Sequence, residues 1–222
     1  MRIRITKSFA TACLVFIVAL LSGCVGTNTL YSNVFIKPSQ PITEIKVLYL
    51  ENKMVGKGNT PSSDLATIGY NDLPELLKER VPLVFGMNNL RTSYATVEKR
   101  NFGQQEAIEA AKWTTSVNSK PPLLVIQVVN GTIATANNGN TTIQLNMHAN
   151  LFEGSANARL WTGQFRNTLY ISLLGRIGFD NAFADSMLKT ILEQMAKDGI
   201  IKLPDNKAVI PLQEGGNTPQ DT

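Results

Sequence analysis

Apolar and polar residues alternate without a slip along residues 142–151, the clearest structural pattern in the chain. The apolar set is Ile143, Leu145, Met147, Ala149 and Leu151, and the polar set is Thr142, Gln144, Asn146, His148 and Asn150. A period of two predicts a β-strand whose successive side chains point to opposite faces of a sheet. We therefore expect one face to pack against a core and the other to contact water.

Two further strand-like segments flank this strand, 121–136 (PPLLVIQVVNGTIATA) and 159–171 (RLWTGQFRNTLYI). The first leads into Asn137-Asn138-Gly139-Asn140, and Asn-Gly between two such runs is a strong hairpin signal because both residues accept positive φ. In the second segment one face is shared by Trp161, Gly163, Phe165 and Leu169. The three segments predict an antiparallel meander.

Strand and helix patterns alternate in the first half of the chain. The apolar run 44–52 (EIKVLYLEN) predicts a central strand, and 89–98 (NLRTSYATVE) predicts a second strand. Between them, Asp72 and Glu75 fit a capping box at the start of a helix. Pro82 is expected to end or kink that helix.

Two more helices complete the predicted elements. Residues 103–115 (GQQEAIEAAKWTT) are rich in helix formers, and residues from about 180 to 198 carry an apolar stripe that ends at Gly199, a suitable C′ residue. The order β-α-β-α-β-β-β-α predicts an α/β (α+β) fold. We expect a two-layer sandwich in which about three helices cover a mixed sheet of about five strands.

The first 23 residues have the three zones of a secretory signal peptide. Arg2, Arg4 and Lys7 give a basic start without acids, residues 9–21 are apolar, and small residues precede Cys24. The apolar run is shorter than the ~20 residues that a membrane-spanning helix needs.

The end of this leader, Leu21-Ser22-Gly23-Cys24, resembles the lipobox of bacterial lipoproteins. The resemblance implies that residues 1–23 are removed, that the Cys24 thiol carries a diacylglycerol through a thioether, and that the new amine receives a fatty acid such as palmitate. Two or three acyl chains would make departure from a membrane very slow. The alternative is an ordinary signal peptide with a chance cysteine.

The residue after Cys24 bears on location. By the same resemblance, Val25 instead of an aspartate points to the outer membrane with the body facing the periplasm, although exposure at the cell surface stays open. Polar residues with two prolines predict a lipidated tether over 24–43. We expect a single periplasmic α/β domain over 44–203 and a disordered tail over 204–222.

The body, from about residue 45 to 201, also resembles a group of outer-membrane lipoprotein domains in its layout. The resemblance rests on the early KVLYL strand, the late hairpin and the LW-x-G-x-F strand before a last amphipathic helix. The group includes the curli-secretion lipoprotein, the exopolysaccharide-export lipoprotein and the amino-terminal domain of the Tol-Pal translocation protein. It implies roles in assembly, export and scaffolding, and it transfers no site residue except Cys24.

Charge and cysteine content exclude several classes of function. Loss of the three basic leader residues lowers the formal net charge from +4 to +1, which gives no support to nucleic-acid binding. Cys13 would leave with the leader and Cys24 would be acylated, so the mature body would form no disulfide. A single histidine excludes a His-rich metal site, and no cofactor-binding motif occurs.

No residue set predicts a catalytic site. His148 has no accompanying nucleophile motif and is interpreted as a polar residue on a solvated or partner-facing strand. Glu106 with Glu109, or Asp180 with Asp185, would supply the paired carboxylates of a glycan hydrolase. Acids near the start of a helix are, however, also expected from the helix dipole alone.

The polar faces of two neighbouring strands predict a partner-facing surface that is poor in Lys and Glu, formed by Gln144, Asn146, His148, Asn150, Gln164, Arg166 and Tyr170. We therefore expect a lipid-anchored, non-enzymatic scaffold or accessory subunit of an envelope assembly, export or transport system. Its partners would be the membrane, through Cys24, and other envelope proteins or further copies of itself. Two alternatives stay open: a lipid- or small-ligand-binding auxiliary lipoprotein of a transporter, and a peptidoglycan hydrolase.

Overall fold

The computed structural model describes residues 25–51, 70–98, 121–137, 139–154, 158–171 and 179–204. These form a mixed sheet of six strands with helices on one face. The strands are β1 (Val25–Val34), β2 (Glu44–Glu51), β3 (Arg91–Glu98), β4 (Leu123–Thr135), β5 (Thr141–Phe152) and β6 (Arg159–Ile171). The helices are α1 (Leu73–Met87), which follows a 3-10 turn over Tyr70–Asp72, and α2 (Asn181–Lys197).

The strand order in the sheet is β1-β6-β5-β4-β2-β3. Strand β2 runs parallel to both β3 and β4, and the pairs β4–β5, β5–β6 and β1–β6 are antiparallel. The predicted mixed α+β class and the meander are confirmed, but the described sheet has one strand more than expected. The leader with Cys24, the predicted helix 103–115 and the tail from residue 205 lie outside the described residues.

The additional strand is β1, in a segment that we expected to be a tether. Residues 25–34 instead pair along their length with β6, so the expectation is wrong for this part of 24–43. Hydrophobicity did not reveal β1 because its inward side chains are largely hydroxyls that bond to α2. The Thr27 and Ser186 hydroxyl oxygens are 3.0 Å apart, and the Gln194 amide donates to Ser32 Oγ at 2.9 Å.

Helix α1 departs from the expected start and end. Asp72 belongs to the preceding 3-10 turn and has helical backbone angles, so its side chain caps nothing and the predicted capping box does not form. The helix also continues past Pro82 to Met87, because buried residues on both sides of the proline hold it against the sheet. After the last helical residue, Met87, and the C-cap Asn88, Asn89 has a φ of 59° that permits a Schellman closure from Leu90 N–H to Phe85 O.

Helix α2 follows the sequence pattern closely. The Asp180 carboxylate accepts the N–H of Phe183 at 2.9 Å, and Gly199, with φ of 75°, closes the far end as the predicted C′ residue. Trp161 fixes this end to β6 by donating its indole N–H to Asp198 Oδ2 at 2.7 Å. A bidentate ion pair between Arg80 and Asp185, at 2.7 and 2.6 Å, joins α2 to α1.

The main core lies between the helices and the sheet. The apolar faces of β5 and β6 meet the buried stripes of α1 and α2, and most of the side chains there are fully buried. Gly163 is required at its position because the rings of Trp161 and Phe165 close over it: a Cβ would lie 2.6 Å from each ring. Trp161 and Phe165 are therefore core residues, as expected from their face.

The opposite face of the sheet is divided into two parts. Near β2 it carries a second buried apolar cluster made of Leu48, Leu50, Leu123, Val125 and Phe152. Across the remainder of β4, β5, β6 and β1 it is polar. Within the described ranges, neither α1 nor α2 has the length and apolar composition that crossing a bilayer requires.

Candidate amide-rich interaction face

The polar part of the outer sheet surface is the candidate functional site, and we call it the amide face. Its members point away from α1 and α2, and they are Asn28, Tyr31, Asn33, Gln127, Asn130, Thr132, Thr142, Gln144, Asn146, His148, Asn150, Thr162, Gln164, Arg166, Thr168 and Tyr170. The sheet positions them because successive residues of a strand alternate between faces. Four adjacent strands thus build one continuous surface.

All seven residues expected at a partner surface lie on the amide face. Asn146 is opposite Arg166 and His148 is opposite Gln164 in the β5–β6 register. Along β5, Gln144 and Asn150 lie on either side of Asn146 and His148. Tyr170 lies further along β6, opposite Thr142. Gln164, Arg166 and Tyr170 are exposed, whereas the four β5 residues are half-buried.

Hydrogen bonds between strands order part of this surface. The Arg166 guanidinium donates to Asn146 Oδ1 at 3.2 Å, and the Asn146 amide donates to Asn130 Oδ1 at 2.6 Å, so one chain of bonds crosses β6, β5 and β4. Thr162 donates to Asn150 Oδ1 at 2.8 Å. Side chains that are already ordered lose less conformational freedom when a partner binds.

The charge on the amide face is low. Arg166 is the one Arg, Lys, Asp or Glu in the set defined above, and Arg159 lies beside the set, with its guanidinium over the ring of Phe152. Burial lowers the pKa of His148 below its ordinary value, which favours the neutral imidazole. Among the described residues of the face there is no carboxylate of the kind that orients the histidine of a catalytic triad.

Sequence reasoning missed the contribution of β1 and β4 to this surface. Asn28 pairs with Arg166 across β1 and β6, whereas the sequence predicts a tether over this segment. In β4 the register shifts between Val128 and Asn130, and this bulge moves Asn130 to the outer face opposite Asn146. The sequence features that could have indicated these contributions are the polar residues of β1 and the Asn130-Gly131 pair in β4.

The carboxylates proposed for glycan cleavage have structural roles where they are described. Asp180 caps α2, and Asp185 holds Arg80. Glu106 and Glu109 lie outside the described residues. Across the described ranges, no three His, Cys, Asp or Glu side chains come together as metal ligands.

A shallow pocket of about 360 Å³ lies at the end of the sheet remote from the hairpin. Its lining combines the segment before β2, the loop after α1 and the segment after α2, namely Pro41, Ile42, Thr43, Asn89, Leu90, Lys202, Leu203 and Pro204. The layer between sheet and helices, where a ligand-binding lipoprotein would hold an acyl chain, is packed with fully buried side chains.

Comparison with known proteins gives only distant structural similarity. The chain is similar to PelC from Paraburkholderia phytofirmans, a dodecamer, with 14% identity and a TM-score of 0.35 over 77% of this chain and 95% of that one. The chain is also similar to lipoprotein GNA1162 from Neisseria meningitidis, with 12% identity and a TM-score of 0.32 over 70% of this chain and 99% of that one. For protein XCC0632 from Xanthomonas campestris, the identity is 13% and the TM-score is 0.32, over 76% of this chain and 88% of that one. No protein-family model and no curated protein sequence matches the chain.

Proposed function

We propose that this chain is a lipid-anchored envelope protein without enzymatic activity that binds another envelope protein through its amide face. In this role it serves as a scaffold or accessory subunit of an assembly, export or transport system in the outer membrane. The anchor is the acylated Cys24, in a sequence that resembles a lipobox. The partner presents polar groups to the amides and an acidic residue to Arg166.

The composition of the amide face is the observation that carries this proposal. An exposed sheet surface in a monomer usually carries Lys and Glu, whereas protein–protein interfaces are depleted in both and enriched in Tyr and Arg. The amide face follows the second pattern, with Arg166, Tyr31 and Tyr170 among amides and hydroxyls. Ordered cross-strand hydrogen bonds reduce the entropic cost of binding there.

Photo-crosslinking in intact envelopes tests the proposed surface. A photoreactive amino acid at Gln164, exposed on the amide face, is expected to give a discrete adduct with one envelope protein. The same amino acid at Lys189, exposed on α2, is the control and is expected to give none. Arg166→Glu should remove the Gln164 adduct, because it reverses the one charge on the face.

Three outcomes would contradict the proposed surface: equal adducts at both positions, an adduct that Arg166→Glu leaves unchanged, or none at Gln164. An adduct between differently tagged copies of this chain would replace the heterologous partner with a homo-oligomer. Separately, Cys24→Ala is expected to release the protein from membranes. Persistence of that variant in the outer-membrane fraction would count against the anchor.

A further inference from the structure

The anchor residue is joined directly to the sheet. Strand β1 begins at Val25, the residue that follows Cys24 in the sequence, so no tether separates the anchor position from the strand. A lipoprotein with a long tether leaves its domain free to tumble above the bilayer. Here the acylated residue would fix one end of a rigid sheet at the membrane surface.

The β4–β5 hairpin lies at the same end of the sheet as this anchor. Val25 is opposite Leu169, and two residues further along β6 Ile171 is opposite Thr141, the first residue of β5. Two residues of strand correspond to about 7 Å. The turn between Ala136 and Asn140 therefore extends beyond Val25, the first residue of β1.

The two ends of the sheet differ in charge. No charged residue occurs anywhere in 121–152, and at the hairpin end the exposed sheet positions include Ala134, Thr135, Asn137 and Tyr170. In the helix layer at this end, the exposed N-cap of α2, Asp180, contributes one carboxylate. The opposite end carries charged groups from several elements, namely Lys37, Glu44, Arg91, Arg159, Lys197 and Lys202. An end that enters a headgroup layer avoids the desolvation cost of ions if its contacts are amides, hydroxyls and a tyrosine.

We propose that the hairpin end, represented by Ala136, Asn137, Gly139, Asn140 and Tyr170, rests in the headgroup layer of the bilayer that holds Cys24. The inference depends on the proposed acylation of Cys24 and adds an orientation to it. The strands stand at a steep angle to the membrane, so the amide face points sideways, parallel to the bilayer. A partner on that face is then itself close to the membrane.

Fluorescence quenching of the acylated full-length protein in vesicles tests this orientation. Cys13 leaves with the leader and Cys24 is blocked, so an introduced cysteine is the one free thiol for labelling. Thr135→Cys labels the hairpin end and Thr43→Cys, another exposed threonine, labels the opposite end. The two lie roughly 40 Å apart, given about 3.3 Å per strand residue.

The vesicles contain phosphatidylethanolamine and phosphatidylglycerol with a fraction of headgroup-nitroxide lipid. The label at residue 135 is expected to be quenched several-fold more than the label at residue 43. Equal quenching, or stronger quenching at residue 43, would overturn the orientation.

A flexible insertion tests whether the direct junction causes the orientation. Ten Gly and Ser residues between Cys24 and Val25 give a root-mean-square reach of about 17 Å. The insertion is expected to reduce the difference between the two labels. An unchanged difference would refute the role of the junction.

Vesicle flotation and the mass of the amino-terminal peptide separate this inference from the proposed anchor. If the protein lacks acylation and does not float with the vesicles, both the proposed anchor and the proposed orientation are wrong. A protein that is acylated and floats, but shows equal quenching, overturns the orientation alone.

Discussion

The inner and outer faces of β5 and β6 are built on the same backbone and have opposite compositions. Inward residues such as Leu145 and Phe165 are fully buried against the helices, whereas outward residues such as Gln144 and Gln164 are amides in contact with water. The inner face stabilises the fold through burial of apolar area. The outer face has no such requirement, so the near absence of charge there is informative about binding.

The largest contrast between the faces is expected at adjacent residues of β6. Phe165→Ala removes a fully buried ring and should lower the free energy of unfolding by about 3–5 kcal/mol. Gln164→Ala, on the amide face, should change it by no more than about 0.5 kcal/mol. Urea denaturation of the purified variants measures both, and similar losses would show that the outer face also supports the fold.

A smaller effect is expected at Gly163, where the inner face admits no side chain. A Cβ at residue 163 would lie 2.6 Å from the buried rings of Trp161 and Phe165, so Gly163→Ala should destabilise by about 1–3 kcal/mol. Gly86→Ala is the matched control, because an added Cβ there meets nothing within 4 Å in an exposed part of α1. That variant should stabilise by about 0.5–1 kcal/mol. A free energy of unfolding that does not fall in Gly163→Ala, or that falls equally in both variants, would refute the packing argument.

Asn167 is an exception to the apolar inner face, and it sharpens the comparison. Its amide is fully buried opposite Thr27 and Leu145, and within the described part of the chain neither polar atom has a hydrogen-bond partner. Leaving a buried polar group unpaired costs about 1–3 kcal/mol, so Asn167→Leu should raise the free energy of unfolding by about 1 kcal/mol.

Asn146→Leu provides the control on the outer face, because Asn146 bonds to both Asn130 and Arg166. This variant is expected to give no gain in stability. A loss of stability in Asn167→Leu would mean that the buried amide has a partner in solution.

Periodicity in the sequence predicted the elements whose stability comes from apolar contacts. The alternation in β5, the hairpin between β4 and β5 and the stripe of α2 all follow from side-chain period and turn chemistry, and the structure confirms them. Strand β1 could not be recognised in this way, because Thr27 and Ser32 reach α2 through hydrogen bonds.

The part of the amide face that lies on β5 and β6 was predictable from sequence for the same reason. The residues on β5 and β6 follow from strict alternation in strands recognised in advance. Asn130 was missed because the bulge after Val128 reverses the alternation in β4, and nothing local in the sequence fixes the position of a bulge. Asn28 was missed because β1 itself was missed.

The smallest predicted effect is the pH dependence at His148, half-buried on the amide face between Gln127 and Gln164. Burial lowers the pKa of the folded imidazole below the ordinary value of 6.5, so the unfolded chain binds the proton more readily. The free energy of unfolding should therefore fall as the pH drops through about 6.5 towards the folded pKa, and stay level below it. His148→Gln should remove this contribution, which urea titrations at about pH 8 and pH 5 would measure. An identical pH dependence in the variant would mean that other groups, not the imidazole on the outer face, are responsible.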